Sequence, residues 1–304
     1  MKNWFKKHAV TIVLIAVLVI GAGLLIYPSF SNYWNNYWQS RAIVDYAQVV
    51  ATLDEDVYEE IWQNAVEYNK RLAETGVIWQ PTEEELADYE SQLHVNDSGN
   101  MGYIEIPKIN VHLPMYHGTS DEVLQTSIGH IVGTSLPVGG IGSHCVLSGH
   151  RGLPSARLFS DLDKLTEGDV FILTTLDQTL TYEVDQIRIV EPTDLSNLAI
   201  DPDMDYCTLV TCTPYGINTH RLLVRGHRIA NAQETNIRII ADALLIEPMF
   251  VAPVIAVPVL ILLVIWMLFM TSGFHKRRKE ARAKRNERRE RVEEIREFRR
   301  DARR

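Results

Sequence analysis

Residues 208–226 read TLVTCTPYGINTHRLLVRG. Two runs rich in β-branched and apolar residues, Tyr206–Cys212 and Arg221–Arg228, flank a Pro-Tyr-Gly-Ile-Asn turn, the pattern of two strands joined by a short connection. Thr213-Pro214 stops the first run, because proline has no N–H to give a sheet ladder. Cys212 is therefore expected at the rim of the sheet. Arg221 opens the next strand, and if the two strands pair, its guanidinium returns to the neighbourhood of the sulfur. A nearby cation favours thiolate and can donate to an oxyanion, as acyl transfer through a thioester requires. On spacing alone the other reading of Cys212 stays open, since a free cysteine is commonly a small buried core residue.

Working outward, short β-branched runs bounded by Gly, Pro, Asn and Asp recur from about Asn100 onward: Tyr103–Ile106, Val111–Tyr116, His144–Ser148, Val170–Thr175 and Leu180–Val190. This texture predicts a β-barrel or sandwich. One helix is expected to interrupt it near Leu158–Leu165. Upstream, 40–53 and 56–75 repeat apolar residues at spacings of three and four (Val57, Ile61, Ala65, Tyr68, Leu72), which predicts helices. Asp54 or Asp56 can cap the second of these and Gly76 can end it.

Ten histidines accompany three cysteines. His94, His112, His117 and His130 show nothing beyond ordinary surface or turn placement, and His8 and His275 flank apolar runs. His144, His150, His220 and His227 remain. His150 follows a strand and lies between Gly149 and Gly152 in VLSGHRGLPSARLFSDLDKL (146–165), so it is expected on a bend that a substrate backbone can approach. No metal-ligand spacing is present, and Cys207 and Cys212, four residues between them, make neither a disulfide scaffold nor a zinc site.

Segments 208–226 and 146–165 closely resemble the signature segments of sortases. MGYIEIPKINVHLPMYHGTS (101–120) and HIVGTSLPVGG (130–140) resemble their class C, pilus-building branch. The resemblance implies an eight-stranded barrel, with Cys212 as nucleophile, His150 as acid/base and Arg221 as substrate and oxyanion stabiliser. Thr208, Leu209 and Thr211 would complete the substrate-binding motif before the nucleophile. It also implies cleavage of a Leu-Pro-x-Thr-Gly-like sorting signal after Thr. The acyl group would pass to an amine, in class C a lysine of another pilin, with no cofactor. The expected partners are pilins or surface proteins bearing a C-terminal sorting signal. Attachment to a peptidoglycan-precursor amine is the nearest alternative, and a non-catalytic membrane scaffold is an alternative of another kind.

Ala9–Tyr27 and Pro248–Met270 carry no charge and are long enough to span about 30 Å of hydrocarbon as helices. Pro253 and Pro258 would interrupt a soluble helix but are tolerated in a membrane. Lys2, Lys6 and Lys7 precede the first run, and the tail from Phe274 carries 15 Lys and Arg against 7 Asp and Glu. The stretch between holds 12 basic and 32 acidic residues, so both termini are expected to be cytoplasmic. Interleaved signs in the tail (Glu280, Glu287, Glu290) argue against nucleic-acid binding. The expected organisation is a cytoplasmic N-terminus (1–8), an anchor (9–29), a helical prelude and lid (30–99) and a catalytic barrel (100–230). A connecting helix (231–247), a second span (248–270) and a basic cytoplasmic tail (271–304) follow.

Many class C enzymes close the site with an Asp-Pro-aromatic lid. Here the corresponding stretch is VIWQPTEEELADYESQL (77–93), in which Trp79, Gln80 and Pro81 are the lid candidates and Gln80 stands about where the motif has its aspartate, so a latch built on an Asp-Arg ion pair is not expected. Spacing gives one more expectation. Cys145 precedes His150 by five residues and Cys207 precedes Cys212 by five. If both active residues end neighbouring parallel strands, the odd interval turns Cys145 and Cys207 to the opposite face, beside each other, as buried reduced thiols.

Overall fold

The computed structural model describes residues 2–96, 98–231, 258–259, 261–266 and 281–292. The first helix, α1 (Lys2–Val50), merges the apolar run and the helical stretch predicted at 40–53 into one element with Pro28 inside it. From Val13 it holds a window of mean hydropathy 2.4 with nothing buried, long and apolar enough to cross a membrane. Beyond Pro28 the helix has two faces. Asn32, Gln39, Ile43, Tyr46 and Val50 are buried, whereas Phe30, Tyr33, Trp34, Tyr37 and Trp38 are exposed. The Tyr46 hydroxyl donates to the Met101 carbonyl at 2.9 Å and accepts from the Leu176 N–H at 2.8 Å.

Helix α2 (Glu55–Thr75) follows the predicted period and ends at Gly76, whose φ of +83° suits glycine. Asp54 holds the N-cap position without a side-chain cap bond. The sequence reading left out α3 (Glu83–Ser91), which starts with a capping box between Thr82 and Glu85. Ala65, Tyr68 and Leu72 of α2 pack with Tyr89 and Leu93 of the α3 region against Met101, Leu136 and Val138.

The strands are β1 (Asn100–Ile106), β2 (Val111–His117), β3 (Ile128–His130), β4 (Ser143–Gly149), β5 (Val170–Thr175), β6 (Gln178–Val190), β7 (Asp205–Thr213) and β8 (His220–Ile229). They form a closed eight-stranded barrel in the order β1-β2-β3-β4-β7-β8-β6-β5, with β5 pairing back onto β1. A short helix, α4 (Asp121–Thr126), leads into β3. The helix expected at Leu158–Leu165 is not there; only a single 3₁₀ turn forms, at Leu162–Lys164. Ala156, Leu158, Phe159, Leu162 and Leu165 fill the barrel core one by one, and Leu158 has a φ of +38°, so their helix-like spacing comes from an irregular plug. Of the second expected span only 258–259 and 261–266 are described, as helix, and of the tail only 281–292, also helix. The expected connecting helix lies outside the described residues, apart from Asn231.

Candidate active site

Strand β4 and strand β7 run parallel, with Cα partners from Ser143↔Asp205 through Cys145↔Cys207 to Ser148↔Val210. Extended past that last pair to the residue that follows β4 (Ser143–Gly149), this register runs toward His150 on one strand and Cys212 on the other. The Thr211 hydroxyl confirms it locally by donating to the Gly149 carbonyl at 2.7 Å. Strand β8 lies antiparallel on the other side of β7, with Arg221 the direct partner of Cys212. Neighbouring strands are about 4.8 Å apart, so Cys212 and Arg221 are direct neighbours on β7 and β8, and His150 follows the last residue of β4 on the other side of β7. Cys212 is half-buried and Arg221 and His150 are partly exposed.

Parity decides which way Cys212 and Arg221 face. Cys145, Leu147, Cys207, Leu209, Leu222 and Val224 belong to the barrel core. The residues between them, Val146, Val210 and Leu223, join Val190 and Leu198 in a second apolar cluster on the outer face. Cys212 and Arg221 share the parity of that outer cluster, and His150 lies one residue past the end of β4. Its side chains therefore floor the approach to the thiol.

The bend at His150 is shaped by close packing. A Cβ at Gly149 would lie 2.7 Å from the Phe159 ring, and a Cβ at Gly152, whose φ is +79°, would lie 3.1 Å from the Tyr215 ring. Arg151 faces Tyr215 with its guanidinium 5.8 Å from the ring centroid and donates to Asp163 at 2.5 Å and to the Thr213 hydroxyl at 3.4 Å. Thus the loop after His150 and the turn after Cys212 interlock. Among the described residues no hydrogen bond or ion pair engages the Cys212 sulfur or the His150 ring. The Arg221 guanidinium contacts only the Asn218 and His220 carbonyls of its own turn, at 3.4 and 3.2 Å. No described carboxylate occupies it.

The three residues read as the motif before the nucleophile are framework. Thr208, Leu209 and Thr211 are 1%, 0% and 2% exposed, so none lines the surface as a substrate-binding group would. The Thr208 hydroxyl is taken by His144 at 2.7 Å, and the other His144 nitrogen bonds the Ala199 carbonyl at 2.8 Å. That carbonyl can only accept, so Nδ1 carries the proton and Nε2 accepts from Thr208. Burial, assisted by the nearby Arg225 charge, pushes the His144 pKa down to about 4. His130, taken from sequence as an ordinary surface or turn residue, is fully buried, with bonds to the Tyr89 hydroxyl at 3.0 Å and the Ser135 carbonyl at 2.9 Å. Cys145 and Cys207 are buried, free and in contact, as their spacing predicts, and burial raises the Cys207 thiol well above its usual range.

The stretch that holds the lid candidates is anchored just before Trp79. Ile78 donates to the Gly133 carbonyl at 3.0 Å, and a Cβ at Gly133 would strike the Ile78 carbonyl at 1.9 Å. Gly133 follows Ile131, which pairs with Val146, four residues and about 13 Å of strand before His150. Ile78 is thereby tied level with the first half of β4, and Trp79, Gln80 and Pro81 follow it directly. Trp79 is 38% exposed, and among the described residues nothing joins these three to Cys212, His150 or Arg221.

Residues 104–229 match the family model for the sortase domain. The solved structure of sortase C1 from Streptococcus agalactiae is 60% identical, with a TM-score of 0.62, and the likeness covers 63% of this chain and all of that one. The chain belongs to the sortase family. Sortases are cysteine transpeptidases. A sortase C from Clostridium perfringens, solved with the C-terminal cell wall sorting motif, is 42% identical with a TM-score of 0.56, again over 63% of this chain and all of that one. Among curated proteins, sortase D of Bacillus subtilis is 31% identical over 131 residues; the match takes in 42% of this chain and 63% of that relative's length.

Proposed function

We propose that this sortase acts as a class C enzyme, cleaving a Leu-Pro-x-Thr-Gly-like signal between Thr and Gly and passing the acyl group to a lysine amine of another pilin. The observation that carries the reading is Arg221 as the direct partner of Cys212 across β7 and β8, with His150 one residue past the end of the adjacent strand β4. In the first step the Cys212 thiolate attacks the threonine carbonyl, Arg221 donates to the oxyanion, and the C–N bond breaks as His150 protonates the departing glycine amine. In the second, the incoming amine gives a proton to His150, attacks the thioester, and releases the Cys212 thiolate. Atoms and charge balance without a cofactor.

The apolar half of α1 acts as a membrane anchor in this reading. Exposed Tyr27, Phe30, Tyr33, Trp34, Tyr37 and Trp38 suit the headgroup zone that follows a span. A second span at 248–270 and two cytoplasmic termini complete the proposed arrangement, supported by the basic flanks of the sequence. The test is to incubate the full chain with a Leu-Pro-x-Thr-Gly peptide and look by mass spectrometry for an acyl adduct on Cys212, then to add a pilin lysine peptide. An adduct discharged by lysine supports the reading. A peptide left intact, or an adduct elsewhere, overturns it.

A further inference from the structure

We propose that Asn32 and Asn35 of α1 are positioning residues for the loop that begins with His150. The inference rests on the catalytic role proposed for His150. Asn32, 5% exposed, accepts the Arg157 N–H on its Oδ1 at 3.0 Å, and the Asn35 Nδ2 donates to the Ser155 carbonyl at 2.8 Å. The two asparagines are three residues apart and so lie on one face of the helix. They read the backbone donor and acceptor of residues 157 and 155 as a neighbouring strand would. Both contacts go to main chain, so they fix the loop's path whatever its side chains are.

That path leads back to His150. Residues 151–161 form no helix or strand, so their polar backbone groups need partners from elsewhere. The Phe159 N–H donates to the His150 carbonyl at 3.1 Å, and the Gly152 N–H donates to the Ser160 hydroxyl at 3.1 Å. The Phe159 ring fills the space beside Gly149. The loop is therefore gripped by α1 at 155–157 and by the His150 bend at its ends. Since the His150 ring has no hydrogen bond of its own among the described residues, backbone placement is what aims it. Asn32 stands five residues beyond Tyr27, so the membrane-proximal helix takes part in building the active site.

The test exploits the opposite polarity of the two contacts, using the full chain in detergent and the sorting-signal peptide. Asn32→Asp keeps the acceptor for the Arg157 N–H, whereas Asn35→Asp loses the donor and turns a carboxylate toward the Ser155 carbonyl. Asn35→Asp should lower kcat about tenfold or more with KM within about twofold, because displacing a catalytic group by about 1 Å costs up to ~10²-fold. Asn32→Asp should stay within about threefold of wild type, while Asn32→Leu should fall toward the Asn35→Asp level. If Asn35→Asp does not fold, Asn35→Ala carries the same comparison. A normal kcat in Asn32→Leu and the folded Asn35 variant, a loss matched by the unfolded fraction in circular dichroism, or an equal loss in Asn32→Asp and Asn32→Leu would overturn the proposal. Cleavage that survives Cys212→Ala would instead remove the activity on which it rests.

Discussion

Cys207 and Cys212 share strand β7 and differ in almost everything that matters to a thiol. Cys207 faces the barrel core, fully buried against Cys145, with its pKa driven upward by burial. Cys212 lies at the strand's end on the opposite face, half-buried and beside Arg221. A similar contrast separates Cys145, inside β4, from His150, one residue past its end. An odd interval on a regular strand reverses the face, so one pair of strands carries both a sealed apolar interior and a polar working rim. The two settings differ by parity and strand termination more than by residue type.

The sharpest way to break this comparison is to delete each thiol in turn. Cys212→Ala should lower peptide cleavage by at least about 10³-fold, the scale seen when a nucleophile is lost, and leave thermal unfolding nearly unchanged. Cys207→Ala should do the reverse: turnover within about threefold, with about 1–2 kcal/mol of stability lost to a small cavity. Equal kinetic losses in the two variants would erase the distinction.

A smaller effect is expected at the rim itself. Arg221→Lys keeps the charge but not the planar donor fork, and removing an oxyanion donor costs about 10²-fold or more in kcat. An unaltered kcat/KM in steady-state assays would make Arg221 a surface cation only.

Beneath the rim, His144 gives the framework a pH dependence. Its pKa is depressed from 6.5 to about 4, chiefly by burial, so below 6.5 the unfolded chain takes up a proton that the folded chain refuses. Stability should therefore be full above about 6.5 and fall as the pH drops through 4, by at most about 3 kcal/mol from this group. Urea unfolding at pH 7, 5.5 and 4.5 should show a shallower slope for His144→Gln than for wild type. The smallest change is expected at Trp79→Ala, which should leave the alkylation rate of Cys212 within about twofold, because Trp79 directly follows Ile78, tied level with the first half of β4. A severalfold acceleration would restore it as a plug.

Much of this arrangement was legible in residues 206–228 alone. Thr213-Pro214 ends a strand, the turn is short, and Arg221 does return to Cys212. The facing of Cys145 and Cys207 followed from counting. Strand β3 escaped because three residues, one of them Gly129, carry too little alternation to read. Core-filling leucines after His150 imitated a helix, since plugging a barrel end demands apolar residues at similar intervals. His130 escaped because its burial depends on Tyr89 and Ser135, and Tyr89 lies 41 residues away. The setting of the lid candidates was hidden for the same reason: the contact that anchors Ile78 is made to Gly133, far along the sequence.

Closure of the sheet also sets a rule for molecular recognition. Because β5 returns to β1, the barrel offers no free edge that another extended chain could lengthen. A peptide arriving as a strand cannot be captured by main-chain pairing along an edge, the route many peptide-binding domains take. In the proposed function, selectivity then falls to side chains and loops on the outer surface, where Val146, Val190, Leu198, Val210 and Leu223 cluster.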